Sequence, residues 1–308
     1  MPWDSRPVPA RALFAGDANV DIQMTGLRSP IQVDREVFCD GFAVTVGGST
    51  TIAASVYARL GGQAELCGLV GDDDHGHVLA ARLGESGLGL GLLRFSAEQP
   101  TGVTVNLVHG STRTQVTFAG TLAIVDETDA ILRELDRFSH LHISGPYGTP
   151  RFLPRVAEAV SAARAGGLTT SLDTQWDGTE QWRHLDEWLP SLSYLFVNRD
   201  EALSITKRQE VEAAWEELAS RTACPLIKLG PDGVFASGRR HAAFAVEVVD
   251  PTGAGDAFAA GFLYAAGELG MALDGAVRFG CAAGALCCTH QGGVSPFLSR
   301  ERVIELLG

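Results

Sequence analysis

Four residues near the C-terminal end, Gly253-Ala254-Gly255-Asp256, lie between Pro251-Thr252 and the apolar run Ala257 to Phe262. Glycines let backbone approach a ligand closely. A helix beginning near Asp256 turns unpaired N–H groups and a partial positive charge toward that ligand. The pattern makes an anion site suited to phosphate. It is not a Walker loop, because no Gly-Lys-Ser/Thr follows. Phe258 stands where a dinucleotide fingerprint needs its third glycine, which disfavours an oxidoreductase. Asp256 would repel a bound anion unless it has a task. One task is to take the proton of a hydroxyl attacking the phosphorus. The other reading is a first-turn acid that complements the helix dipole, and the local residues leave both open.

Two further clusters carry metal-ligand residue types. Asp72 to His77 (DDDHGH) follows a strand, and His140-x-His142 lies on a strand with no third ligand nearby in sequence. We assign a transition metal to neither.

The elements that must position Asp256 alternate. Short apolar strands at Leu13–Ala15, Ala64–Val70, Leu141–Ser144, Leu168–Leu172, Tyr194–Val197 and Pro225–Leu229 are separated by helical stretches at Thr50–Leu60, Gly76–Leu83, Phe152–Ala165 and Val211–Arg221. A strand-like run, Val248-Val249, leads into the glycine turn. This pattern predicts an α/β protein with a mostly parallel sheet and helices on both faces. Ligands in such sheets bind beyond the carboxyl ends of the strands, where Asp17, Asp173, Asn198, Gly230 and Asp250 fall. Thr101 to Gly120 breaks the alternation. Val103, Val105 and Leu107, a turn at His109-Gly110-Ser111, then Val116 and Phe118 read as a hairpin. With a second β-rich stretch, Asp21 to Val46, it predicts a small separate sheet that acts as a lid.

The 308 residues suffice for one large buried core. A formal net charge of −13 disfavours nucleic acid. No apolar run is long enough to span a membrane. Met1 to about Arg11 reads as a frayed lead-in without a signal peptide. Cys39, Cys67, Cys224, Cys281, Cys287 and Cys288 form no C-x-x-C pair and read as reduced, buried residues of a cytoplasmic protein.

The stretch DPTGAGDAFAAGF resembles the second signature of the ribokinase-like (PfkB) carbohydrate kinases, and VGGSTTIAASVYARLG (Val46 to Gly61) is similar to the first. GDANVD, GLVGDDDHG, LFVNRDE, IKLGPDG and FGCAAGALCCTHQGG match in family order, so the resemblance covers nearly the whole chain. It implies a three-layer αβα sandwich with a small β lid, as one unit over 1–308. The core is expected at about 11–17, 47–99 and 123–308, and the discontinuous lid at about 18–46 and 100–122. It implies ATP-dependent transfer of the γ-phosphoryl group to a small sugar or sugar-like alcohol. In that reading Asp256 is the general base, and the N–H groups of Gly253, Ala254 and Gly255 stabilise the phosphoryl charge. Asn19, Asp21, Gly47, Gly48 and Asn106 would hold the acceptor. Asn198 and Glu201 would hold Mg²⁺ and phosphates, Glu201 through water. Lys228, Gly230, Gly233 and Cys281 would line the nucleotide. Asp250 and Thr252, with carbonyls near Cys287, His290 and Gly292, match positions for a monovalent cation such as K⁺.

The acceptor side departs from the family pattern. Ile52 replaces a sugar-contacting Asn, so one polar contact is lost or moves to Thr50 or Thr51. Ser144-Gly145 stands where the family members most like ribokinase carry an acid. Asp173 to Thr179 (DTQWDGT) lacks the Arg that relatives use for sugar acids, a part open to Arg113. A nucleoside kinase, with the base stacked on Trp176 or Phe42, is the second reading. A non-catalytic sugar or nucleotide sensor is the third. The lid sheet offers a face for a homodimer.

Overall fold

A computed structural model describes residues 11–110 and 112–308. The lead-in before Arg11, residue Ser111 of the hairpin turn and the side chain of Arg113 lie outside the described residues. Among the described residues thirteen strands form two sheets. They are β1 (Ala12–Gly16), β2 (Asn19–Thr25), β3 (Gly41–Gly47), β4 (Ala64–Gly71), β5 (Gly89–Ser96), β6 (Gly102–His109), β7 (Thr112–Phe118), β8 (His140–Ser144), β9 (Thr169–Asp173), β10 (Tyr194–Asn198), β11 (Pro225–Lys228), β12 (Val234–Ala236) and β13 (Arg239–His241). The helices are α1 (Ser49–Arg59), α2 (Asp74–Glu85), α3 (Thr128–Glu134), α4 (Val156–Ala165), α5 (Leu185–Trp188), α6 (Arg199–Thr206), α7 (Val211–Ala219), α8 (Ala254–Gly267), α9 (Leu273–Cys287) and α10 (Arg300–Leu307).

The large sheet runs β13-β12-β11-β10-β9-β8-β1-β4-β5, parallel from β11 to β5 with an antiparallel hairpin at one edge. Its two faces bury separate cores. Along β1, Ala12 and Phe14 point into a core with α1, α8 and α9, while Leu13 and Ala15 point into one with α4 and α7. That period-two alternation makes the fold three layers.

The small sheet runs β3-β2-β6-β7. The core and the small sheet are tied at the DDDHGH turn. Asp73 caps α2 by accepting from Gly76 N at 2.8 Å, and its carboxylate also accepts Thr101 N and Thr101 Oγ1, both at 2.7 Å. The turn's central acid is a structural fastener between α2 and the start of β6.

Val248 and Val249 differ from the expectation of a strand. They join neither sheet and stand 59% and 62% exposed. Val249 N instead donates to Cys288 O at 2.8 Å, which leaves the apolar side chains of this segment free to wall a cavity. All six cysteines are unpaired; Cys39, Cys224 and Cys288 are only half-buried. Among the described residues no helix is long and apolar enough to cross a membrane.

Candidate active site

Asp256 is the third residue of α8, which begins two residues earlier than the sequence suggested. Gly253 caps the helix at φ +76°, and a Cβ there would lie 2.6 Å from Gly293 Cα, so only glycine fits. Ala254 N already donates to Pro251 O at 3.2 Å. Gly255 lies one residue on, where a Cβ would sit 3.1 Å from Lys228 Nζ. The ammonium of Lys228 is thus held against the helix mouth.

Lys228 ends β11 and pairs with Asp173 at the end of β9, at 2.5 Å. Burial lowers the proton affinity of Lys228, but Asp173, Glu201 and Asp256 outweigh it and the net shift is upward. Burial and neighbouring Asp173 push the Asp256 carboxyl well above the usual carboxylate range, against the pull of Lys228; Asp17 adds to the rise. Asp17, at the end of β1, accepts from Ser49 N at 2.9 Å and Thr50 N at 2.8 Å, tying the start of α1 to the site. Burial raises its carboxyl against those donors. Asp17 and Asp173 stand out in the sequence as strand-end acids; their link to Asp256 comes from sheet order.

Asn198 and Glu201 form a capping box on α6. Asn198 Oδ1 accepts from Glu201 N at 2.9 Å, and Glu201 Oε2 accepts from Asn198 N at 2.8 Å. Burial raises the Glu201 carboxyl against Lys228, with Asp173 adding to the rise. Beside it, Asp173 Oδ1 is buried with no hydrogen-bond partner. Two inward carboxylates, one with an unused oxygen, suit a hydrated divalent cation.

An apolar trench of about 590 Å³ opens from Lys228 and Gly255. Gly230, Gly233, Phe244, Val246, Phe258 and Cys281 are among the residues that line it. Every residue expected along the nucleotide other than Asn198 and Glu201 therefore borders one cavity.

The residues expected at the acceptor also converge. Asp21 Oδ1 accepts from Asn19 Nδ2 at 3.0 Å and Oδ2 from Asn106 Nδ2 at 3.2 Å; Gln115 Nε2 holds Asn106 Oδ1 at 2.8 Å. A Cβ on Gly47 would lie 2.1 Å from Asp21 Oδ1, and one on Gly48 (φ +89°) 2.8 Å from Asp17 O. Thr50 and Thr51 do not replace the missing polar contact at Ile52. Thr50 Oγ1 donates to Ser144 O at 3.1 Å and Thr51 Oγ1 to Gly48 O at 2.7 Å, so both hydroxyls serve backbone. Ile52 packs toward Gly293.

Asp250 gathers the turn after α9. Its carboxylate accepts Thr252 N and Gly292 N, both at 2.9 Å, while Cys287 Sγ reaches Gly293 O at 3.2 Å and Cys287 O accepts from His290 N at 3.4 Å. Trp176 is 45% exposed and meets Trp182 edge-on at 5.6 Å.

Residues 11–300 match the family described as pfkB family carbohydrate kinase. The ATP-dependent ribose-1-phosphate kinase of Halopiger xanaduensis is 29% identical over 92% of this chain and 94% of its own length. The ribokinase of Arabidopsis thaliana is 28% identical over 96% of this chain and 80% of its own. A solved structure of Arabidopsis thaliana ribokinase complexed with ribose and ATP superposes with a TM-score of 0.83 at 25% identity, covering 97% of this chain and 99% of that one. The chain belongs to the pfkB family of carbohydrate kinases. Its chemistry is ATP-dependent phosphorylation of a small sugar.

Proposed function

We propose that this kinase phosphorylates a hydroxyl of a neutral polyol sugar held by Asp21, with Asp256 as general base. The observation that carries the reading is the position of Asp256. Its neighbour Gly255 borders the trench, while Asp256 interacts with Ser49 and Asp17 on the acceptor side. The acceptor proton passes to the Asp256 carboxylate as the hydroxyl oxygen bonds to the γ-phosphorus. The bond from that phosphorus to the bridging oxygen breaks, and ADP leaves. Raised proton affinity brings the base nearer to the working pH. The N–H groups of Gly253, Ala254 and Gly255 and the ammonium of Lys228 meet the phosphoryl oxygens; the Ala254 donor first leaves Pro251 O. Asp21 with its two asparagine partners binds sugar hydroxyls and repels an anionic group at the same place.

Asn198 and Glu201, with Asp173, would hold Mg²⁺ through water, and Mg²⁺ when bound neutralises the nucleotide phosphates. Asp250, Thr252 and the carbonyls of Cys287, His290 and Gly292 would hold K⁺; a faster rate in KCl than in NaCl supports that set. The four-stranded sheet closes over the acceptor as a lid and excludes water. Exposed Phe42, Val116 and Phe118 on that sheet favour a homodimer, which sedimentation would read.

Asp256→Asn should lower kcat by about 10²–10⁴. Retention within about tenfold overturns the base. The acceptor is read from a panel of D-ribose, D-fructose, ribose 1-phosphate and adenosine with ATP, Mg²⁺ and K⁺. Exposed Trp176 favours a nucleoside as second reading, and adenosine as the best substrate would establish it. Tight binding of ATP without turnover on any acceptor would indicate a sensor.

A further inference from the structure

A strained segment follows β9. Gln175, Glu180, Trp182 and His184 all have φ between 49° and 67°, four non-glycine residues in left-handed backbone within ten positions. Such conformations cost free energy and persist where the surroundings impose them. Here the flanks are pinned. Thr174 is buried and donates its Oγ1 to Glu201 Oε2 at 3.1 Å, while its N–H reaches Phe196 O at 3.3 Å. Asp177 is buried and accepts Thr179 N at 2.9 Å and Trp182 N at 2.7 Å. Trp182 is fixed by Ser204, which accepts from its Nε1 at 2.8 Å, and by Tyr147 edge-on at 5.3 Å.

Between those anchors Gln175 adopts φ +55° and its side chain turns inward, where Nε2 lies 3.4 Å from Asp256 Oδ1. Trp176, next in the chain, is exposed instead. The groups that bear on Asp256 are Asp173 from β9, Lys228 from β11, Asp17 from the end of β1, Ser49 from α1 and the thiol of Cys287 from α9. Two of these are carboxylates that oppose its charge. A neutral amide donor favours the ionised form and fixes the carboxylate's rotation without binding phosphate itself.

We propose that Gln175 is a positioning residue for phosphoryl transfer: its amide holds one carboxylate oxygen of Asp256 so that the other faces the acceptor hydroxyl. The bent turn after β9 exists to deliver that amide. The inference rests on Asp256 being the base.

The test measures kcat, KM for ATP and the pH dependence of kcat for three variants and Asp256→Asn, with the panel sugar phosphorylated fastest. Gln175→Leu should lower kcat about tenfold with KM for ATP within about twofold, since one hydrogen bond to the base is lost and none to nucleotide. Gln175→Glu keeps the shape but places a third acid beside Asp256, so the acid limb of the kcat profile should move up by about 1 pH unit. Gln175→Gly relieves the backbone, so its melting temperature should equal or exceed wild type while kcat falls. A merely structural turn would show lower stability in Gln175→Leu and no movement of the acid limb in Gln175→Glu. If Asp256→Asn is inactive while the Gln175→Leu and Gln175→Glu profiles superimpose on wild type, the inference is overturned and the base stands. If Asp256→Asn keeps activity within tenfold, base and inference both fall.

Discussion

Lys228→Met tests the electrostatics of the site most directly. Asp173 is 1% exposed and the Lys228 side chain 13%, so their 2.5 Å pair is buried. Removing one partner leaves an uncompensated buried charge, at a cost of about 3–5 kcal/mol. For a chain of this size that lowers the melting temperature by on the order of 10 °C. Lys228 also pulls against the raised carboxyls of Glu201 and Asp256, whereas Asp173 is one of several acids there. Asp173→Asn should therefore cost less, about 1.5–3 kcal/mol for a charge-assisted hydrogen bond. The double variant Asp173→Asn/Lys228→Met should recover about 1 kcal/mol or more relative to Lys228→Met. The pH window follows from the upward shift of Lys228. Its contribution is complete below the unfolded value, about 10.4, and is lost as pH rises through the folded one. Urea unfolding from pH 6 to 9 should show a constant gap between wild type and Lys228→Met, narrowing only under strong alkali. Lys228→Met within about 1 kcal/mol of wild type, or Asp173→Asn costing more than Lys228→Met, would mean that Lys228 does not hold these buried carboxylates together.

Three further outcomes are expected. The raised Asp256 carboxyl contributes stability below its unfolded value, about 3.9, that is lost as pH rises through the folded value; Asp256→Asn should thus melt higher than wild type at pH 7, with the gain gone below about pH 4. Gly47→Ala pushes a methyl to within 2.1 Å of Asp21 Oδ1, so KM for the sugar should rise at least about tenfold with KM for ATP unchanged in initial-rate kinetics. Burial lowers His140 to about 3, so its contribution is complete above about 6.5 and lost as pH falls toward the folded value. Between pH 7.5 and 5.0 it should account for roughly 2 kcal/mol of lost stability by urea titration, and His140→Gln should flatten that slope.

Much of this protein is legible in the chain itself. Alternating apolar strands and amphipathic helices specify a layered α/β core, because side-chain period decides which face each residue can bury. Gly253 to Asp256 mark the mouth of α8, since glycine and a helix start carry their conformational signal locally. Asn198 and Glu201, three residues apart at a strand end, fold as a capping box. Val248 and Val249 mislead because an exposed apolar pair, one member of which walls a cavity, looks like a buried strand; accessibility is a property of neighbours that arrive from elsewhere in the chain. Whether Thr50 could serve a ligand was equally hidden, because the Ser144 carbonyl claims its hydroxyl only once α1 has docked on β8.

The tertiary structure alone decided which distant groups share the field around Asp256. Asp17, Asp173, Lys228 and Gln175 lie up to 239 positions from it in sequence and meet because β1, β9 and β11 end at the same edge of one sheet. Proton affinity and hydrogen-bond reach depend on separations of a few ångströms, and no sequence spacing encodes those. Residue types determined what chemistry this kinase can do; strand order determined which carboxylate is placed to do it.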